Sequence, residues 1–109
     1  MTIRKRIIAT LVSIPLLGPA FAEDAVAAET TQIFKNYEAT LKVLGSGLSD
    51  IVKCAVFLDD FADYSEMNKA YAAALPDPKP ARSTLGVDGL SLRAGLEIEC
   101  VAIRRQKEN

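Results

Sequence analysis

The stretch IVKCAVFL, residues 51–58, decides how the rest of the chain can fold. It is rich in β-branched residues and carries a single charge, which is typical of a strand buried on most of both faces. After it, Tyr64, Met67 and Tyr71 recur at three- and four-residue steps and predict a helix that ends near Leu75. The prolines that follow hold the connection to the next element extended.

The flanking segments predict one more helix and two more strands. Apolar residues at helical spacing predict a helix from about Asp24 to Leu44, which ends at the Gly-Ser-Gly segment 45–47. Strands are predicted over 82–87 and 96–103, and a charged tail over 104–109. This order predicts an α+β fold with one sheet and two helices on a single face. Three strands would leave an open sheet edge that can pair with another chain.

The first 22 residues have the three parts of a secretory signal peptide. Basic residues at positions 4–6 precede an apolar run over 7–17, and small residues stand at Ala20 and Ala22. The run is too short for a membrane-spanning helix. We therefore predict a signal peptide over 1–22, one domain over 23–109, and a periplasmic or secreted protein. A chance apolar N-terminal helix is the alternative.

Charge and composition exclude several classes of function. Cleavage after Ala22 would leave ten basic and fourteen acidic residues, a net charge of −4. No basic stripe then remains for nucleic acid, and nothing predicts membrane binding after cleavage. The chain has no histidine, which excludes serine–histidine and cysteine–histidine nucleophile pairs and imidazole-bound zinc. We expect neither a metal nor a cofactor.

The two cysteines, Cys54 and Cys100, fall on the apolar phase of predicted strands. An oxidising compartment would allow them to form a disulfide but does not require one. Because neither has a basic or helix-start neighbourhood, a nucleophilic role is disfavoured. Two buried free thiols are the favoured interpretation.

Two features could carry chemistry. Arg82 begins a strand just after Pro80, so its guanidinium is placed to bind a carboxylate through two hydrogen bonds. Glu97 and Glu99 share one face of the last strand and could act on water. The residues alone favour a cross-strand ion pair between the arginine and a glutamate. Tyrosines at helical spacing are likewise more often core residues than ligand contacts.

Four segments together resemble the RidA/YjgF family of reactive-intermediate (imine) deaminases: SDIVKCAVFL (49–58), MNKAY (67–71), PARST (80–84) and LEIECVAI (96–103). The resemblance implies a chorismate-mutase-like α+β fold, a homotrimer with clefts between subunits, and hydrolysis of 2-imino acids to 2-keto acids and ammonia without cofactor. It implies that Arg82 holds the substrate carboxylate, that Thr84 lines the cleft, and that Glu97 is the catalytic residue that positions or activates water.

The chain departs from this family at its N-terminus. Members usually have about 40 residues of strands before the first long helix, including Gly-Pro-Tyr and Ser-Gly-Gln segments that supply a tyrosine and a serine to the cleft. Neither segment occurs here, so the N-terminal strands are expected to be missing. A non-catalytic protein that binds small carboxylates is therefore one alternative function, and a truncated relative that assembles through its open sheet edge is another.

Overall fold

A mixed sheet with two helices on one face forms the structure, which is a computed structural model that describes residues 3–13 and 25–107. The predicted α+β class is confirmed. The strands are β1 (Ile3–Ser13), β2 (Ile51–Leu58), β3 (Ala81–Gly86) and β4 (Leu96–Lys107), and the helices are α1 (Ala25–Val43) and α2 (Tyr64–Ala74). Among the described residues, no helix is long and apolar enough to cross a membrane.

The strands lie in the order β1-β4-β2-β3. Strand β2 pairs antiparallel with β4 and parallel with β3, and β1 pairs antiparallel with β4. Parallel pairing requires a crossover, which α2 and the proline-rich segment 76–80 provide between β2 and β3. The predicted elements after residue 25 are therefore all present, each within a few residues of its expected bounds.

The core lies between the helices and one face of the sheet. Alternate residues of β2 and β4 point towards the helices, because side chains along a strand alternate between faces. The buried side chains of β2 and β4 are Ile51, Cys54, Val56, Leu58, Leu96, Ile98, Cys100 and Ala102. Helix α1 covers them with Ile33, Phe34, Tyr37 and Leu41, as its apolar spacing predicts. The Tyr37 hydroxyl donates a hydrogen bond to the Ile98 carbonyl, which fixes α1 to the central strand β4.

Local chemistry sets the helix ends. Gly45, at φ 73°, ends α1 as expected, and the Ser46 amide bonds the Leu41 carbonyl at 2.8 Å. Asp63 occupies the position just before α2 but makes no side-chain capping bond. The chain instead enters α2 through a 3-10 turn over Phe61–Asp63, in which Asp60 accepts from the Ala62 amide at 3.0 Å.

The structure differs from the sequence-based expectation at both ends of the chain. Residues Ile3–Ser13, inside the predicted signal peptide, form β1, so the sheet has a fourth strand. Strand β4 also continues to Lys107, where a charged tail was expected, because β1 supplies hydrogen-bonding partners for these residues. The signal peptide over residues 1–22 remains a prediction.

Cys54 and Cys100 form a disulfide, so the expectation of two free thiols was wrong. The residues face each other directly in the β2–β4 register, with a Cα–Cα distance of 4.1 Å. Both side chains are buried under the helices. Two cysteines must lie this close for a disulfide to form. Their spacing along the sequence could not show that β2 and β4 bring them together.

Replacing both cysteines, as Cys54→Ala with Cys100→Ala, should destabilise the fold by about 4 kcal/mol, because the bond closes a loop between residues 46 positions apart. Urea unfolding with and without a thiol reductant measures this. The reductant should weaken the natural chain and leave the double variant unchanged. Equal stability of the natural chain in both conditions would contradict a stabilising role.

A buried carboxyl group connects α1 to the start of β4. Glu29 is only 8% exposed, and it accepts a hydrogen bond from the Gly95 amide. One of its carboxyl oxygens, Oε2, has no hydrogen-bond partner among the described residues. Burial, and secondarily the charge of Asp63, raise the pKa of Glu29 despite the Gly95 bond. The contact is close: a Cβ at position 95 would stand 2.8 Å from that oxygen, so the Glu29 side chain would have to shift to admit a larger residue there.

The free energy of unfolding should therefore depend on pH through Glu29. Its pKa is higher in the folded than in the unfolded chain, so its contribution is fully present below the unfolded value near 4.5 and is lost as pH rises through the folded pKa. Glu29→Gln imitates the protonated form and should be more stable than the natural chain at neutral pH, with the difference shrinking in acid. Thermal unfolding against pH measures this, with Glu38→Gln on the exposed side of α1 as control. A pH-independent difference would contradict it.

Candidate functional site

Arg82 lies near the start of β3, on the face of the sheet that the helices cover. It pairs with Cys54 of β2, and its guanidinium reaches towards α2. Nη1 donates to the Asn68 side-chain carbonyl at 2.8 Å, and Nη2 donates to the Tyr64 hydroxyl at 2.9 Å. Both partners are neutral, so they orient the guanidinium without cancelling its charge. A guanidinium has five N–H donors, which leaves others for a ligand.

Aromatic rings surround the same guanidinium. Its central carbon lies 4.6 Å from the centre of the Tyr71 ring and 5.7 Å from that of Tyr64. Contacts of this kind stabilise a cation through the negative faces of the rings. The half-exposed Phe61 stacks on Tyr64 with centroids 5.4 Å apart and lies beside Gly86 at the end of β3. The site therefore has aromatic walls on its α2 side.

Two hydroxyl groups, one on β3 and one on α2, are buried without a hydrogen-bond partner among the described residues. They are Thr84 Oγ1, on the same face of β3 as Arg82, and Tyr71 Oη. Burial raises the pKa of Tyr71, and the nearby Arg82 charge offsets part of this effect, so the hydroxyl is protonated and can donate. Buried polar groups usually have a hydrogen-bond partner. Buried hydroxyl groups that lack one are suited to bind an anionic ligand of Arg82.

Glu97 lies on the opposite face of the sheet. It pairs with Phe57 of β2. Its neighbours in β4, Leu96 and Ile98, are buried and face the helices, so Glu97 between them faces the other way. Glu99 shares its face, as the sequence predicts. The structure therefore brings Arg82 and Thr84 together but separates both from Glu97 within one chain.

The cross-strand ion pair favoured by the residues alone does not form. Among the residues the structure describes, Arg82 has no carboxylate partner, and its bonds go to Asn68 and Tyr64 instead. Sequence reasoning missed Asn68 as a site residue. The core role that it favoured for the tyrosines is confirmed for Tyr71, which is buried, but Tyr71 and Tyr64 also contact the guanidinium. Their spacing was the available signal, since Tyr64, Asn68 and Tyr71 fall on one face of a helix.

The described residues around Arg82 do not form a metal centre. Over 3–13 and 25–107, no group of three carboxylate or cysteine side chains could hold a metal ion. A shallow hollow lies elsewhere, between the helices on their outer side. It is lined by Thr31, Phe34, Lys35, Glu38, Leu48 and Ala74 and includes none of the candidate site residues.

Known proteins are similar to this chain over most of its length. Residues 12–104 match the family model described as Endoribonuclease L-PSP. The chain is 43% identical over 82 residues to Reactive Intermediate Deaminase A, chloroplastic, of Arabidopsis thaliana. This match covers 75% of this chain and 44% of that protein. It is 40% identical over 93 residues to mitochondrial mmf1 of Schizosaccharomyces pombe, covering 83% and 57%. The chain thus spans about half the length of these curated relatives.

Solved structures share the fold. Yeast Mmf1 superposes with a TM-score of 0.76 at 34% identity, over 85% of this chain and 75% of that one. RidA from an Antarctic Psychrobacter superposes with a TM-score of 0.74 at 26% identity, over 92% and 80%. From sequence, fold and matched residues together, the chain belongs to the RidA/YjgF family of reactive-intermediate deaminases.

Proposed function

We propose that this protein hydrolyses small 2-imino acids to 2-keto acids and ammonia. The observation that carries the proposal is the Arg82 guanidinium, held by the neutral Asn68 and Tyr64 and left without a carboxylate partner in the described chain. A planar guanidinium in this state binds a ligand carboxylate well. The name of the Arabidopsis relative, a reactive-intermediate deaminase, supports the same chemistry.

The reaction needs little from the protein beyond placement. Water adds to the electrophilic imine carbon, and the resulting amino alcohol loses ammonia to leave the ketone. Arg82 and Thr84 hold the carboxylate end of the substrate, and Glu97 orients the water, accepts its proton and passes that proton to the nitrogen that leaves as ammonia. Because the imine is already reactive, orienting it beside a placed water supplies most of the acceleration. No metal or cofactor is part of this proposal.

The opposite placement of Arg82 and Glu97 requires more than one chain in the site. A symmetric oligomer can bring the helix-side edge of one subunit against the open sheet face of the next. That open face has partly buried apolar residues at Ala55, Phe57 and Val101, and Leu85 is 47% exposed. We propose a homotrimer in which Arg82 of one subunit and Glu97 of a neighbour line the same cleft.

A non-catalytic carboxylate-binding protein is the second candidate. It is favoured by the position of Glu97 on the opposite face of the sheet from Arg82, because one chain alone then has no carboxylate beside the bound ligand. In that case the anion site at Arg82 persists, but water is not placed for attack. Calorimetry with 2-ketobutyrate would show binding that depends on Arg82, without any turnover of the imine.

Activity should disappear when either charged residue is lost. Arg82→Ala should abolish ammonia release from enzymatically generated iminopropanoate, and Glu97→Gln should lower kcat by roughly 100-fold or more, the usual contribution of a general base. Glu99→Gln, on the same face two residues away, is the matched control and should stay active. An unchanged rate in Arg82→Ala would end the proposal.

Mixing the two inactive variants tests whether the cleft is shared. In trimers formed from equal amounts of the Arg82→Ala and Glu97→Gln chains, about one quarter of the interfaces combine an intact Arg82 with an intact Glu97. Activity should therefore return to about one quarter of the natural level. A mixture as inactive as its components would show that the two residues do not meet across subunits.

We also propose that the protein is exported. The signal-peptide pattern over residues 1–22 and the Cys54–Cys100 disulfide support an oxidising compartment, since disulfides are rare in the cytosol. Expression of the full chain in a Gram-negative host, followed by intact-mass analysis of the periplasmic fraction, should find a chain that begins at Glu23. Full-length protein confined to the cytosol would contradict export. Cleavage would remove β1 and leave β4 as a sheet edge.

A further inference from the structure

An exposed aromatic side chain lies beside the residues that hold Arg82. Phe61 is 52% exposed, and its ring stacks on that of Tyr64 with an interplanar angle of 29°. The Tyr64 hydroxyl in turn accepts a hydrogen bond from Arg82. The two rings therefore extend the site from the guanidinium towards solvent. We call these two rings, Phe61 and Tyr64, the aromatic shelf.

Local structure fixes the position of the aromatic shelf. Phe61 begins the 3-10 turn Phe61–Asp63, in which the Asp63 amide donates to the Asp60 carbonyl at 3.0 Å. Its ring packs beside Gly86 at the end of β3, since a Cβ there would stand 3.4 Å from its Cδ2 atom. The turn and the strand thus hold the ring before any ligand arrives. A surface that is already ordered strengthens binding, because the ligand does not have to order it.

The distances suit an aromatic side chain on a ligand held by Arg82. The guanidinium carbon lies 5.7 Å from the Tyr64 ring centre, and the Phe61 ring centre lies 5.4 Å from that of Tyr64. In a bidentate pair the ligand carboxylate carbon lies about 4 Å from the guanidinium carbon. In a 2-imino acid with a benzyl side chain, the ring centre lies about 5 Å from that carboxylate carbon. Such a ring can reach the aromatic shelf at the separation of about 4.5–7 Å that is typical of aromatic pairs.

Acidic residues surround the start of the aromatic shelf. Asp60 precedes Phe61 directly, Asp63 ends the same turn, and Asp59 comes before both. Burial, and then the charges of Asp60 and Asp59, raise the pKa of Asp63, because the three carboxyl groups lie close together. A ligand side chain with its own carboxylate would be repelled here, whereas an uncharged ring would not.

We propose that the aromatic shelf is a side-chain subsite, which makes the protein prefer 2-imino acids with aromatic side chains to those with small or acidic ones. This inference rests on the proposed deaminase function. The ligand carboxylate binds Arg82, and the ligand ring stacks on the aromatic shelf and removes the exposed Phe61 ring from water. The stacked ring takes no part in the attack of water, so the subsite binds substrate and transition state alike and lowers KM with little effect on kcat.

Kinetics on two imines test the subsite. For imines generated enzymatically from phenylalanine and from alanine, kcat/KM should be about tenfold higher for the aromatic one, through a lower KM. Phe61→Ala should bring this ratio close to one, and Phe61→Tyr, which keeps a ring, should retain it. Val43→Ala, which removes an 86% exposed apolar side chain at the end of α1, is the matched control and should leave the ratio unchanged. The same ratio in the natural chain and in Phe61→Ala would overturn the subsite and leave the deaminase function standing.

Ligand binding tests the subsite even if neither imine is turned over, which would refute the deaminase function alone. Calorimetry should show that phenylpyruvate binds about tenfold more tightly than pyruvate, and that 2-oxoglutarate binds more weakly than pyruvate. Phe61→Ala should remove the advantage of phenylpyruvate, and thermal unfolding checks that this variant folds. Phe61→Leu, which keeps an apolar side chain beside Gly86 but no ring, should have the same effect. Equal affinity of the natural chain for phenylpyruvate and pyruvate, or tightest binding of 2-oxoglutarate, would overturn the inference.

Discussion

Strand β2 determines on which side of the sheet each candidate residue lies, because both β3 and β4 pair with it. Its register places Arg82 and Cys100 on either side of Cys54, all facing the helices, and places Glu97 beside Phe57 on the other face. A slip of one residue would exchange the faces, and the buried side chains of β2 prevent that slip. Core packing thus fixes the register, and the register separates the arginine from the glutamate. The proposal of a cleft shared between subunits rests on that separation.

Helix α2 serves the core and the site at once. Met67 is fully buried against the sheet, and Tyr71 presents its ring to both Phe34 and the guanidinium. Asn68 and Tyr64 lie on the adjacent side and bond the same guanidinium. Since neutral oxygens orient the cation without pairing its charge, its attraction for an anion is preserved. An acidic residue at either position would have satisfied the arginine internally.

The sequence predicted much of this architecture, and its failures have physical causes. Apolar spacing located both helices and three strands, and the proline before Arg82 marked the start of β3. Strand β1 was missed because a basic start followed by an apolar run fits a signal peptide as well as a strand. The Cys54–Cys100 bond and the separation of Glu97 from Arg82 depend on register between strands far apart in sequence, which spacing along one strand does not contain. The spacing of Asn68 placed it on the same helix face as the two tyrosines, but its contact with Arg82 depends on where β3 lies, which that spacing does not contain.

The link between Cys54 and Cys100 makes a covalent ring of the segment that contains α2, β3 and the exposed prolines between them. Exposed connecting segments are where proteases cut first, and residues 76–79 are all exposed. A single nick there would not release a fragment. The tyrosine-bearing helix would remain joined to β2, the arginine strand would remain joined to β4, and the sulfur bridge would hold the two halves together across the break.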